Sequence, residues 1–168
     1  KPPFPGILFP CGHSHNGKAY TSYQKACMLL AQSGMAVLCY DPIGQGERLQ
    51  LVKTSGKKRK GTSEHMIAGV APILLGRNLA TYMIHDSIRG IDLLCEHPDI
   101  DRERIGCTGN SGGGMMTSYV MALDDRIKCA APGCFITTTK QKNEKPGPGD
   151  AEQNIFGQIR FGMDHPDY

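Results

Sequence analysis

No apolar run in this sequence approaches the ~18 residues that a membrane-crossing helix requires, so no membrane span is expected. No C-x-x-C spacing occurs among the seven cysteines, which removes the usual basis for a zinc ribbon or a redox pair. Charge of one sign is also missing. The 19 Lys and Arg against 16 Asp and Glu leave a formal +3. That balance is too small to argue for nucleic acid, and its basic residues concentrate in Lys57-Lys58-Arg59-Lys60, which reads as a solvated loop between Gly56 and Gly61. There is no internal repeat and no leader pattern; the chain opens on Lys1-Pro2-Pro3 rather than Met, so its start reads as trimmed or processed. Cys39, Cys107 and Cys129 fall inside apolar runs, where cysteine acts as a small hydrophobe. Reduced, buried thiols lean toward a reducing compartment, without fixing one.

What is present suits one globular domain over residues 1–168. Apolar residues make up 39%, enough for a core, and the 21 glycines cluster as a fold with tight strand-to-helix turns requires. Four short apolar runs read as strands: Ile7 to Phe9, Ala36 to Tyr40, Ile105 to Thr108 and Ile127 to Ala131. They are nearly continuous rather than alternating, the pattern of strands covered on both faces of a parallel sheet. Helical spacing links Tyr23, Cys27 and Leu30, with Gly34 as a stop; then Ile84, Ile88, Ile91 and Cys95, closed by Pro98; then Met116, Tyr119, Val120 and Leu123. Alternation of strand and helix predicts an α/β fold, a mostly parallel sheet with helices on both faces and ligands at the strand C-termini. Residues 44–80 read as a long insertion loop with a mild apolar patch at Val70 to Leu75, residues 137–150 as a second loop, and Ile155 to Met163 as weakly helical.

Gly109-Asn110-Ser111-Gly112-Gly113 matches G-x-S-x-G, directly after one predicted strand and directly before one predicted helix. This is the setting of a nucleophile elbow, in which a strained turn lifts a serine hydroxyl above the sheet edge. Gly109 and Gly113 supply the room, and the Gly112 N–H at the helix start can donate to a developing oxyanion. A second donor has to come from the loop after an earlier strand, and Pro10 to Gly17 is that loop, with Gly12 allowing close approach and the His13 N–H as candidate. Metal binding by His13-x-His15 is the competing reading; Asn16-Gly17 follows where an Asp-His pair is needed. Nucleotide motifs fit poorly. Gly44-x-Gly46 has Leu49 at its third glycine position, and Gly109 to Gly114 lacks the Lys-Ser/Thr of a phosphate loop.

Taken together, Cys11 to Lys18, Asp41-Pro42-Ile43-Gly44-Gln45-Gly46-Glu47-Arg48 and Gly109 to Gly114 resemble the acetyl-xylan-esterase-like branch of the α/β-hydrolases, near dienelactone-hydrolase and prolyl-oligopeptidase-type relatives. Asp150 to Asn154 and Phe161 to His165 are similar to segments of the same branch. The resemblance implies Ser111 as nucleophile, with His13 and Gly112 as the oxyanion hole. It places Asp41 to Arg48 beside the active site, with Asp41 and Arg48 fixing a loop. It implies no metal and no organic cofactor and a small-molecule or carbohydrate ester as partner; it leans toward export where the cysteines lean toward the cytoplasm, which leaves the compartment open.

In this fold the acid and the base follow the nucleophile on later strands. One clear strand follows Ser111, so the chain reads as an incomplete fragment of the fold, with the triad acid and base outside it. Of the six histidines, His13 and His15 sit on the oxyanion loop, His85 and His97 on the helix before the Ser111 strand, and His65 in the long insertion, where it reaches the site only by chance. His165 is the best placed, but its neighbour Asp164 is too close in sequence to orient it. The expected function is a serine esterase acting on acetyl or related carbohydrate esters through an acyl-enzyme. The alternatives are a non-catalytic hydrolase-like module and a peptidase of the same fold. The acyl group and the oligomeric state stay open.

Overall fold

The structure, a computed structural model, describes residues 1–51, 61–145, 149–155 and 157–167; the basic run Lys57 to Lys60 lies outside the described residues. In chain order the elements are β1 (Phe4–Pro10), α1 (Thr21–Gln32), β2 (Ala36–Tyr40), α2 (Thr62–Ala68), α3 (Val70–Leu74), α4 (Leu79–Glu96), β3 (Ile100–Asn110), α5 (Gly112–Leu123), β4 (Ile127–Gly133) and α6 (Thr139–Glu144), with single 3-10 turns after α6. The four strands form one parallel sheet in the order β2-β1-β3-β4. This is the expected α/β class.

Side chains alternate across the sheet, and each face has its own helices. From β1, Leu8 joins Ile91 and Leu94 of α4 and Val120 of α5, while its neighbour Phe9 joins Tyr23, Cys27 and Leu30 of α1 on the opposite face. From β2, Leu38 and Tyr40 face α4, and Val37 and Cys39 face α1. A residue-by-residue alternation between two apolar layers is why these strands look continuously apolar in sequence. Helix α1 ends where expected: Gly34 takes φ +85°, and the Met35 N–H returns to the Leu30 carbonyl at 3.3 Å.

The chain runs from β1 outward to β2, then crosses back to place β3 on the other side of β1. The strand order reverses between β1 and β3. The crevice beyond their C-terminal ends is therefore the topological switch point, where open α/β sheets bind ligands. It lies between the Pro10 end of β1 and the Asn110 end of β3.

Several local expectations differ from what is found. The 44–80 stretch holds α2, α3 and the start of α4. In α2 and α3 the buried side chains include Glu64 and His65, whereas Met66, Ile67, Val70, Ile73 and Leu74 are exposed. Apolar-outward helices invert the periodicity by which surface helices are recognised. Helix α4 buries Ile91 as expected, but it turns Met83 and Ser87 inward and leaves Ile84 and Ile88 half-buried, with the buried Ser87 hydroxyl paired to Tyr40 Oη at 2.6 Å. Leu123 and Cys129 are exposed rather than buried. Within 137–150, α6 forms with Thr138 capping it through the Gln141 N–H, and only the turn Ile159–Phe161 is helical between Ile155 and Met163. No single helix among the described residues is long and apolar enough to cross a membrane.

Among the described residues β4 is the outermost strand on its side of the sheet, and its Lys128, Cys129 and Ala131 are exposed. An edge of this kind invites pairing with another chain. The 168-residue chain produced alone is expected to self-associate in size-exclusion chromatography at tens of micromolar, and Ala131→Lys to shift it toward monomer. A wild-type chain that elutes as a monomer at every concentration tried would show that this edge is not sticky.

Candidate active site

Ser111 sits between the last residue of β3 and the first of α5. Its backbone is left-handed, φ 57° and ψ −118°, in a residue with a side chain. Such a conformation costs about 1–3 kcal/mol and persists only when its surroundings over-determine it. Here the Ser111 N–H donates to the Gly133 carbonyl at the end of β4 (2.9 Å), and the Met115 N–H donates to the Ser111 carbonyl (2.9 Å). The turn needs glycine for close approach. A Cβ on Gly109 would stand 2.5 Å from the Pro10 carbonyl oxygen, and one on Gly113 would collide with the same oxygen. The result is an exposed Ser111 at the head of a helix whose next nine residues are buried.

Ser111 lies between two cavities at the switch point. One, of about 380 Å³, is lined by Phe135, Thr137, Gln141, Lys142 and Asp150 among others. The second, of about 640 Å³, is lined by His13, Ser14, His15, Tyr20 and Tyr23 on the β1 side. Burial lowers the Lys142 pKa. Among the described residues, no hydrogen bond engages the Ser111 hydroxyl, and the backbone N–H groups of His13 and Gly112 donate to nothing. His13 and Gly112 are close: the His13 ring carbon Cε1 lies 3.0 Å from where a Cβ on Gly112 would be.

The His13 ring turns away from His15, whose own ring meets Tyr20 edge-on at 6.3 Å. His13 Nε2 lies 2.9 Å from Glu152 Oε1, 3.1 Å from His65 Nδ1 and 3.4 Å from Asp150 Oδ2. His65 Nδ1 is itself 3.0 Å from Glu152 Oε1, and its Nε2–H donates to the Ile43 carbonyl at 2.6 Å. His65 and Glu152 are fully buried. Burial alone would raise the Glu152 carboxyl, but the two histidines outweigh it and hold it at about 2. Burial alone would lower His65; the bond to Glu152 reverses this and raises it. Asp150 is raised, by burial and then by the neighbouring charge of Glu152.

His65 is thus part of the site's surroundings, held there by a helix rather than reaching it by chance. Glu152 and Asp150 join the site from a segment to which the sequence alone assigns no chemical role. Their segment is latched by Asn78, which donates to the carbonyls of Ala151 (3.0 Å) and Asn154 (2.9 Å). The only sequence signals for this group are the acidic pair Asp150-x-Glu152 and the adjacent Glu64-His65. His165 stacks on Phe135, ring centroids 4.4 Å apart, and burial lowers its pKa. Phe135, on which it stacks, lines the smaller cavity.

The acetyl xylan esterase (AXE1) family model matches residues 4–138 of this sequence. The chain belongs to the acetyl xylan esterase family. Among curated proteins it is 31% identical over 144 residues to "Putative hydrolase YtaP" of Bacillus subtilis (strain 168), covering 79% of this chain and 44% of that protein. The fold matches a crystal structure titled "putative acetyl xylan esterase" from Bacteroides fragilis, with TM-score 0.78 and 19% identity over 99% of this chain and 49% of the other. It also matches acetyl xylan esterase 1 from Thermoanaerobacterium, with TM-score 0.64 and 21% identity over 95% of this chain and 49% of the other. The α/β-hydrolase fold is thereby established, and the chain spans about half the length of these relatives.

The Asp41 to Arg48 segment has the loop-fixing role expected of it. Buried Asp41 accepts from the Lys18 N–H (2.6 Å), the Lys18 ammonium (2.7 Å) and the Glu47 N–H (3.1 Å), tying the loop after β1 to the loop after β2. Arg48 reaches the Asp41 carbonyl at 3.3 Å and the Asp86 carboxylate at 2.6 Å. Burial alone would raise Asp41, but Lys18 and the two N–H donors hold its carboxyl below the usual range. A depressed folded pKa contributes stability above the unfolded value near 3.9 that is lost as pH falls through the folded value. Asp41→Asn is expected to cost about 1.5–3 kcal/mol in urea unfolding at pH 7, with the gap to wild type closing below about pH 4. An equal gap at pH 7 and pH 3 would contradict this.

Proposed function

We propose that this chain carries the nucleophile and the oxyanion hole of a serine esterase, and that the reaction is hydrolysis of a carboxylic ester through an acyl-enzyme on Ser111. The observation that carries the reading is the strained, exposed Ser111 at the switch point with two undonated backbone N–H groups, those of His13 and Gly112, beside it. The Ser111 Oγ attacks the acyl carbonyl while a histidine takes its proton. The tetrahedral oxyanion is held by the His13 and Gly112 N–H groups, each donating at about 3 Å. Collapse expels the alcohol, which takes up the proton, and water then repeats the sequence to release the acid and free Ser111.

Family membership favours an acetyl ester of a carbohydrate as substrate. The hydrogen-bonding groups of Thr137 and Gln141 around the smaller cavity suit hydroxyl-bearing substrates. The base and acid of the triad are assigned outside this chain. In support, the His13 ring is engaged by Glu152 and His65, His165 is stacked on Phe135, and no described side chain is hydrogen-bonded to the Ser111 hydroxyl.

In the full-length protein, Ser111→Ala is expected to lower kcat/KM on an aryl acetate by about 10⁴- to 10⁶-fold with an unchanged circular dichroism spectrum. A fluorophosphonate probe should label the wild type on Ser111 and leave the variant unlabelled. A variant that keeps more than roughly a tenth of wild-type turnover sinks the assignment. A wild type that neither labels nor turns over any ester would mark a non-catalytic module, and preference for peptide over acetyl substrates would mark a peptidase.

A further inference from the structure

We propose that His13, His65, Asp150 and Glu152 form a binding site for a single divalent transition-metal ion, with zinc the best fit, which staples the oxyanion loop to α2 and to the 149–154 segment. One donor atom from each residue lies within 4.8 Å of the donor atoms of the other three. The closest separations are 2.9, 3.0, 3.1 and 3.4 Å. Tetrahedral zinc, with ligands at about 2.0–2.2 Å, needs donors about 3.4 Å apart. Admitting the ion takes a small opening of the His13, His65 and Glu152 trio and an inward shift of the Asp150 carboxylate, whose donor atom sets the wider spacing of the group.

Three further observations point to a ligand. Glu152 is a fully buried carboxylate whose Oε1 already faces both imidazoles while its Oε2 has no hydrogen-bond partner, so a cation held against this carboxylate would offset buried negative charge that the protein leaves half-satisfied. The His65 Nε2–H is committed to the Ile43 carbonyl, the outer bond that orients a metal-binding imidazole and leaves Nδ1 for the ion. Gly44 makes room for that ring, since a Cβ there would stand 2.9 Å from His65 Nε2. Two imidazoles with two carboxylates select a transition metal over calcium or magnesium, which take oxygen donors. Four protein ligands close the coordination sphere, so the ion's role is structural. The proposal stands independently of the chemistry assigned to Ser111.

The test is calorimetric titration of zinc into the full-length protein, tag-free and stripped with a chelator. The expected result is one ion per chain, a higher unfolding temperature with zinc, and the intense visible bands of a four-coordinate site when cobalt is substituted. Second-ligand-layer changes weaken such sites about 10–100-fold, and losing a ligand costs at least the upper end of that range. Glu152→Gln should therefore bind zinc about 100-fold more weakly or worse. Asp150→Asn, at the most exposed of the two carboxylates, should also weaken binding and is the variant least prone to misfold. No saturable binding by the wild type would overturn the proposal. So would two folded variants that bind as tightly as wild type, which would place the ion elsewhere, for example at the exposed His85 and His97.

Discussion

The left-handed turn at Ser111 governs how the ends of β1, β3, β4 and α5 meet. A residue with a side chain is held at φ 57° because its N–H is claimed by Gly133 and its carbonyl by Met115. The helix that follows must then pass so close to β1 and β4 that side chains are excluded. A Cβ on Gly113 would fall on the Pro10 carbonyl oxygen and one on Gly114 on the Gly133 carbonyl oxygen. Gly12 meets the Asn110 carbonyl in the same way. The strain is stabilised by the sheet, and the reward is a hydroxyl standing at the head of a buried helix, where developing negative charge is favoured.

The loop after β1 is the other half of the arrangement, and it has no regular structure of its own beyond one turn at Gly17–Ala19. Side chains from elsewhere set its path. Gln45 accepts from the Ser14 N–H at 2.6 Å, Asp41 accepts from the Lys18 N–H at 2.6 Å, and Glu152 fixes the His13 ring at 2.9 Å. Gln45, Asp41 and Glu152 are all buried, so breaking any one of these three bonds would cost about 1–3 kcal/mol. A loop held this way would present its His13 N–H without reorganisation, as the proposed oxyanion hole requires.

What could be read from the sequence was what is encoded locally. The elbow is contiguous, and its strand and helix flank it directly. The sheet announced itself because strands buried on both faces carry apolar residues at every position. What could not be read depends on tertiary contact or runs against pattern. His13 finds His65 at 52 residues' separation and Glu152 at 139, with no periodicity connecting them. Helix α2 buries Glu64 and His65 while exposing Met66 and Ile67, so a hydrophobic pattern points the wrong way round. Ser87 enters the core through a hydroxyl bond to Tyr40, which an apolar stripe cannot register. Cys129 sits among apolar neighbours in sequence, yet it is exposed on β4 while Cys107 of β3 is buried, a difference the apolar pattern does not register.

The central claim is that the switch-point crevice is an oxyanion-stabilising serine site built from two loops far apart in sequence. A crystal structure of the full-length protein after reaction with an alkyl phosphonate tests it most directly. The account predicts phosphorus bonded to Ser111 Oγ, with one phosphonyl oxygen accepting from both the His13 and Gly112 N–H groups at about 3 Å. An adduct on another residue, or a phosphonyl oxygen directed away from both N–H groups, would contradict it.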